Sequence, residues 1–180
     1  SGAQPDRSIM FCIWTGEEFG LLGSKYFVEN RTVPYENISN YFNRDGGPEV
    51  AVSVTVPEAM YADFVEIAKP VASINPDFPF VVNKREGEPR PRPKRAGGSD
   101  HAYFAMNGVP TISLGLKDVK GSGFDYREIW HTDADLYPRI VPEYLEHSAL
   151  VNAVMMYGVA NLGHLLSREG LYGEDQGEKK

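Results

Sequence analysis

The stretch SIMFCIWTGEEFGLLGS, residues 8–24, decides how the fold is interpreted. It begins with a continuous apolar run over residues 8–14, which is typical of a strand buried on both faces of a helix-covered sheet. The TGEE segment then predicts a turn, and residues 19–30 place apolar side chains at helical spacing. A strand, a turn and a helix in this order predict an α/β fold with Glu17 and Glu18 at the end of the strand.

The rest of the chain continues this alternation of strands and helices. Strands are predicted over residues 38–43, 50–56 and 109–116, helices over residues 57–73, 99–108 and 141–166, and loops over residues 75–98 and 121–139. We expect a three-layer α/β/α sandwich with a mixed, mostly parallel sheet, because two strands follow one another directly while the others alternate with helices. One domain is expected over residues 1–166, followed by a polar tail over residues 167–180.

Composition excludes several classes of protein. The 180 residues carry a net charge of −7, which disfavours nucleic acid as the main partner because phosphate binding needs a basic face. No apolar run approaches the ~20 residues of a membrane span, and residues 1–10 show no signal peptide. Cys12 is the single cysteine, so no disulfide framework is expected, and its apolar context predicts a buried core thiol.

Acids and histidines gather where the predicted strands and their following turns end. They are Glu17 and Glu18, Asp45, Asp100 with His101, and His131 with Asp133 and Asp135. Any one of them is more often a solvated surface charge, but four segments that deliver such groups to one edge of a sheet predict a site. Carboxylates and imidazoles without thiolates suit zinc, and the chain has no HExxH motif.

The adjacent Glu17 and Glu18 fit such a site, because one carboxylate can bind a metal while the other takes a proton from water. A nearby cation would offset the repulsion between them.

Four motifs together resemble a known family. WTGEEFGLLGSKYFV, NRDGG, GGSDHAYFAMNGVPTISL and WHTDAD occur in the order found in the co-catalytic zinc exopeptidases of metallopeptidase family twenty-eight. That family includes secreted bacterial leucine aminopeptidases, glutamate carboxypeptidases and the related glutaminyl cyclases. The resemblance runs from about Ser8 to Leu162, which is nearly the whole chain.

The resemblance implies a role for each charged residue of the motifs. Glu17 would be the general acid and base, Glu18 and His131 would bind a first zinc ion, and Asp45 would bind a second. Asp100 and Asp135 would support these ligands without binding metal.

The aromatic residues that precede His131 leave two interpretations open. Phe124 and Tyr126 either line a substrate pocket or pack the loop.

The family's site also needs a histidine and a bridging aspartate from an upstream segment. Residues 1–12 contain no histidine, and the context of Asp6 does not match the bridging motif. We therefore expect the carboxyl-terminal part of a catalytic domain whose amino-terminal strands are missing. Such a chain would be inactive alone, would hold zinc at partial occupancy at most, and would self-associate through the uncovered sheet edge.

The resulting functional prediction is a two-zinc aminopeptidase that hydrolyses amino-terminal peptide bonds with activated water. Two alternatives remain open: a transferase of glutaminyl-cyclase type on the same fold, and a metal-free binding or dimerisation domain. The residues leave undecided the side-chain preference and the choice between amino-terminal and carboxyl-terminal cleavage. The resemblance implies a secreted or periplasmic protein.

Overall fold

A computed structural model of the chain describes residues 2–123 and 125–173. Its helices and strands, in chain order, are α1 (Leu22–Asn30), β1 (Tyr41–Asn43), β2 (Val50–Val56), α2 (Glu58–Ala68), β3 (Val81–Lys84), α3 (Ala102–Met106), β4 (Thr111–Lys117), α4 (Tyr126–Ile129) and α5 (Pro142–Ala160). None of the helices in these ranges is long and apolar enough to cross a membrane.

The four strands form one mixed sheet in the order β1-β4-β2-β3. β1 pairs with β4 and β3 pairs with β2 in parallel, whereas β2 and β4 are antiparallel. Two of the three pairings are therefore parallel, and the predicted mixed sheet is confirmed.

Helices cover the two faces of the sheet around β1. Neighbouring strand residues point to opposite faces, and Phe42 packs on a core that contains Phe64 of α2 and Met155 of α5. The adjacent Tyr41 packs on the other side, where its ring stacks on Phe104 of α3 with 4.5 Å between centroids. The three-layer arrangement predicted from the sequence is thus confirmed.

The first predicted strand is wrong, because residues 8–14 form no strand and pair with none of the described strands. Met10, Phe11 and Ile13 expose 67%, 79% and 100% of their surface. A strand needs a neighbour for its backbone N–H and C=O groups, and here the described residues supply none. Cys12 is consequently half-buried rather than a core thiol, although burial still raises its pKa.

Both predicted loops contain regular structure. The segment 75–98 includes β3, which lies at the sheet edge and pairs through Val81 and Val82 with β2. The segment 121–139 includes α4, whose first turn is capped by Asp125 accepting a hydrogen bond of 2.9 Å from the backbone N–H of Arg127. In both cases a four-residue element forms once tertiary packing supports it.

The last helix ends at Ala160, six residues earlier than predicted. The Arg7 guanidinium donates to the carbonyl oxygens of Ala160 and Leu162 at 3.4 and 2.5 Å. The Asn161 side chain donates to the carbonyl of Tyr157 at 2.7 Å. These donors satisfy carbonyl groups that a continuing helix would otherwise have bonded.

Residues 167–173 pack back against the body of the protein. Leu171 is buried in the large core, and its carbonyl accepts a hydrogen bond of 2.9 Å from Arg85. The backbone N–H of Gly173 donates to the carbonyl of Arg90 at 3.0 Å. The division of the chain at residue 166 stays a prediction.

Candidate functional site

A tight turn presents Glu17 and Glu18. The Glu17 carbonyl accepts hydrogen bonds from the N–H groups of Gly20 and Leu21 at 3.0 and 2.8 Å, and Leu21 has a φ of 59° at the start of α1. Gly23 allows the close return of the chain, because a Cβ there would lie 2.9 Å from the backbone N and O of Thr15. The glycines of the motif therefore shape the turn that displays the two carboxylates.

Most of the predicted site residues line one cavity of about 810 Å³. Glu17, Glu18, Asp45, Asp135 and His131 supply its acids and imidazole. The other side-chain walls come from Arg44, Tyr126, Arg127, Ile129, Trp130, Ile140 and Leu145. Phe124 lies outside the described residues.

Glu18 and His131 are in direct contact across 113 positions of sequence. The His131 Nε2 atom lies 3.0 Å from each carboxylate oxygen of Glu18, and both side chains are more than half exposed. His131 has a φ of 57°, a left-handed backbone that costs a non-glycine residue about 1–3 kcal/mol. The residue with this strained backbone is therefore the same residue whose imidazole contacts Glu18.

Burial and repulsion both disfavour the charged form of Glu17. Desolvation raises the pKa of its carboxyl group. Three nearby carboxylates raise the pKa further, those of Glu18, Asp45 and Asp100, and the His131 imidazole acts in the opposite direction. A carboxyl group with a raised pKa in a cavity is suited to accept and return a proton.

The donors present suit zinc in kind but not in number. Glu18 and His131 offer an oxygen and a nitrogen donor side by side, and Asp45 lies on the same cavity wall. Among residues 2–123 and 125–173, however, no three His, Cys, Asp or Glu side chains converge in a way that could hold an ion. Catalytic zinc typically has three protein ligands, so the pair fits as part of a centre that further donors must complete.

Asp100 lies beneath the cavity wall rather than on it. It is 7% exposed and accepts a hydrogen bond of 2.5 Å from the hydroxyl of Ser24, which is fully buried. Its neighbour Ser99 accepts a hydrogen bond of 3.1 Å from the Asn43 side chain. Ser24, Asn43 and Ser99 are not among the predicted site residues, and their sequence signal is that each is a small polar residue within a motif.

His101 has an unusual environment next to this group. Its Nδ1 atom is buried and has no hydrogen-bond partner among the described residues. Burial lowers its pKa, while the charges of Asp45 and Asp100 act in the opposite direction. It does not line the main cavity.

Comparison with known proteins gives a consistent result. The chain is 34% identical over 149 residues to a glutamate carboxypeptidase 2 homolog of Caenorhabditis briggsae, covering 72% of this chain and 18% of that protein. It is 29% identical over 128 residues to a probable leucine aminopeptidase 2 of Aspergillus fumigatus, covering 60% of this chain and 22% of that protein.

The crystal structure of a peptidase M28 precursor from Shewanella amazonensis shares the fold. The TM-score is 0.69 at 24% identity, and the similarity covers 93% of this chain and 34% of that one. The chain thus spans between 18% and 34% of the length of these proteins. A profile of Peptidase family M28 matches residues 1–156. Because this match covers most of the sequence, the chain belongs to peptidase family M28.

Proposed function

We propose that the protein containing this chain is a zinc-dependent exopeptidase, of aminopeptidase type, that hydrolyses amino-terminal peptide bonds. The observation that carries the proposal is the contact of 3.0 Å between Glu18 and His131 beside Glu17, in one large cavity. The raised pKa of Glu17 supports its assignment as the acid and base.

The residues have distinct roles in this proposal. Glu18 and His131 would hold a first zinc ion, and Asp45 would contribute to a second. Zinc, when bound, would polarise the scissile carbonyl and acidify the attacking water. Glu17 would take the proton of that water and pass it to the leaving amine. Asp135, exposed on the rim, would orient the ligands without binding metal.

The aromatic side of the cavity supports a preference for apolar substrate side chains. Trp130 and Leu145 line the cavity and expose 55% and 56% of their surface, and Tyr126 stacks on Trp130 with 6.3 Å between centroids. Large apolar surface left open in a cavity gains free energy when an apolar group covers it. The proposed substrate is therefore a peptide whose terminal residue has a large apolar side chain.

Export from the cytoplasm is part of the proposal. The related Shewanella amazonensis protein is described as a precursor. Cell fractionation of the source organism, with an antibody against this chain, should find the protein outside the cytoplasm. Recovery with cytoplasmic markers would contradict this part of the proposal.

Two neighbouring substitutions in the full-length protein test the assignment. Glu17→Gln should keep zinc but lower kcat by about 10²–10⁴-fold, because a positioned base contributes that much. Glu18→Gln should instead lose zinc, because it removes a ligand. Zinc content by atomic emission and turnover of a leucyl p-nitroanilide measure the two effects.

The matched control is Glu29→Gln, since Glu29 is an exposed glutamate of α1 that forms an ion pair with Lys25 at 4.0 Å. It should change neither zinc content nor turnover. The reverse pattern, with zinc lost from Glu17→Gln and kept by Glu18→Gln, would show that the two roles are exchanged.

A further inference from the structure

A buried hydroxyl is bonded to a buried carboxylate under the candidate site. Ser24, in α1, has no exposed surface, and its Oγ atom donates to Oδ1 of Asp100 at 2.5 Å. The carbonyl of Leu21 is the other neighbour, at 3.1 Å. A hydroxyl has one proton, so the shorter contact with the charged acceptor takes it.

The residue before Asp100 makes a second bond to a different element. Ser99 is 4% exposed, and its Oγ atom accepts a hydrogen bond of 3.1 Å from the side chain of Asn43 at the end of β1. The pair Ser99–Asp100 therefore ties α1 to β1. α1 follows the turn that carries Glu17, and β1 ends two residues before Asp45.

A buried carboxylate is stable only when donors compensate for its lost hydration. For Asp100, the hydroxyl of Ser24 is a donor that is itself held rigidly inside α1. The bond therefore fixes the direction in which the Asp100 carboxylate faces. Removal of the hydroxyl would let the carboxylate rotate or draw in water.

We propose that Ser24 is a positioning residue of the site, which acts through Asp100 to hold the Glu17–Glu18 turn and Asp45 in their working arrangement. The inference rests on the proposed function. It assigns Ser24 no contact with substrate or metal. Its effect on the site should therefore exist only while Asp100 can accept the hydrogen bond as a carboxylate.

A double-mutant cycle in the full-length protein tests the inference. Ser24→Ala alone should lower kcat and zinc affinity by about 10-fold, within the range of residues that orient metal ligands, with KM little changed. Asp100→Asn alone should have an effect of similar or larger size. Ser24→Ala added to Asp100→Asn should have little further effect, because the charged acceptor that Ser24 orients is already removed.

Ser148→Ala is the matched control. Ser148 is also a buried serine of a helix, and its hydroxyl accepts a hydrogen bond of 3.0 Å from the backbone N–H of Ala51 in β2. It does not line the cavity. Its substitution should lower the melting temperature without changing kcat, KM or zinc affinity in either background. If Ser24→Ala does not fold, Ser24→Cys replaces it, since a thiol keeps the volume but donates weakly.

The outcomes of this cycle distinguish the positioning role of Ser24 from the proposed function of the protein. Equal fold-changes from Ser24→Ala in the wild-type and Asp100→Asn backgrounds, for both kcat and zinc affinity, would overturn the positioning role. If the full-length protein shows no turnover, the comparison between the two backgrounds is made on zinc affinity alone. Absent peptide hydrolysis with coupling still present in zinc affinity would overturn the proposed function and leave the positioning role standing.

Discussion

At the scale of single residues, His147 is a titratable group with almost no contact with water. It is 2% exposed, neither ring nitrogen has a hydrogen-bond partner among the described residues, and it packs edge-on against Phe78 at 5.0 Å between centroids. Burial lowers its pKa.

His147 should make the stability of the chain depend on pH. The unfolded chain protonates this histidine at about pH 6.5 and the folded chain only at lower pH. Between these values the unfolded state binds more protons, so the free energy of unfolding should fall as the pH drops below about 6.5. Urea unfolding of wild type and His147→Leu at pH 7.5 and pH 5.0 measures this.

The His147→Leu variant should lose part of the decrease between the two pH values. His164→Gln is the control, because His164 is exposed and contacts Asp63 at 2.9 Å. It should not reduce the decrease. A pH dependence that is unchanged in His147→Leu would show that other groups cause it.

At the scale of elements, the end of α5 depends on a residue from the opposite end of the chain. Arg7 is half-buried and donates to carbonyl groups of the last helical turn and of Leu162. A cation at this position also interacts favourably with the helix dipole. The amino-terminal segment is thereby fixed to the body of the protein.

Arg7→Met should lower the free energy of unfolding by about 1–2 kcal/mol, because charged hydrogen bonds and the dipole interaction are both lost. Chemical denaturation followed by circular dichroism measures the change. Arg95→Met, at an exposed loop position, should stay within about 0.5 kcal/mol of wild type. Equal effects of the two substitutions would mean that the contacts of Arg7 contribute nothing specific.

At the scale of the whole molecule, residues 8–14 combine a backbone that pairs with no described strand and exposed apolar side chains. Such a segment is a template for pairing with another chain. We expect the isolated chain to self-associate through it, with light scattering giving twice the 20.0 kDa of one chain or more. Ile13→Asp should restore a monomer, since Ile13 is fully exposed, and a monomeric wild type would contradict the expectation.

The isolated chain should also fail to hydrolyse aminoacyl p-nitroanilides when zinc is added. Only Glu18 and His131 are in contact among the predicted ligands, and two donors hold a zinc ion weakly. Equilibrium dialysis should find partial zinc occupancy at most. Robust zinc-dependent turnover by this chain would show that other residues complete the centre.

The sequence by itself determined the elements whose signal is local. The β-branched run over residues 50–56 became β2 with the same bounds, because its side chains suit a strand wherever it pairs. The periodic segments became α1, α2 and α5. The motif around Glu17 and Glu18 also determined its own turn, because its glycines permit a backbone that other residues resist.

The tertiary structure alone decided what depends on distant partners. Residues 8–14 have the composition of a buried strand, yet strand formation requires a neighbour to bond, and composition does not reveal whether one is present. β3 formed within a basic, proline-rich segment because β2 offered an edge. The bond between Ser24 and Asp100 joins residues 76 positions apart, and such contacts arise only when packing brings their elements together.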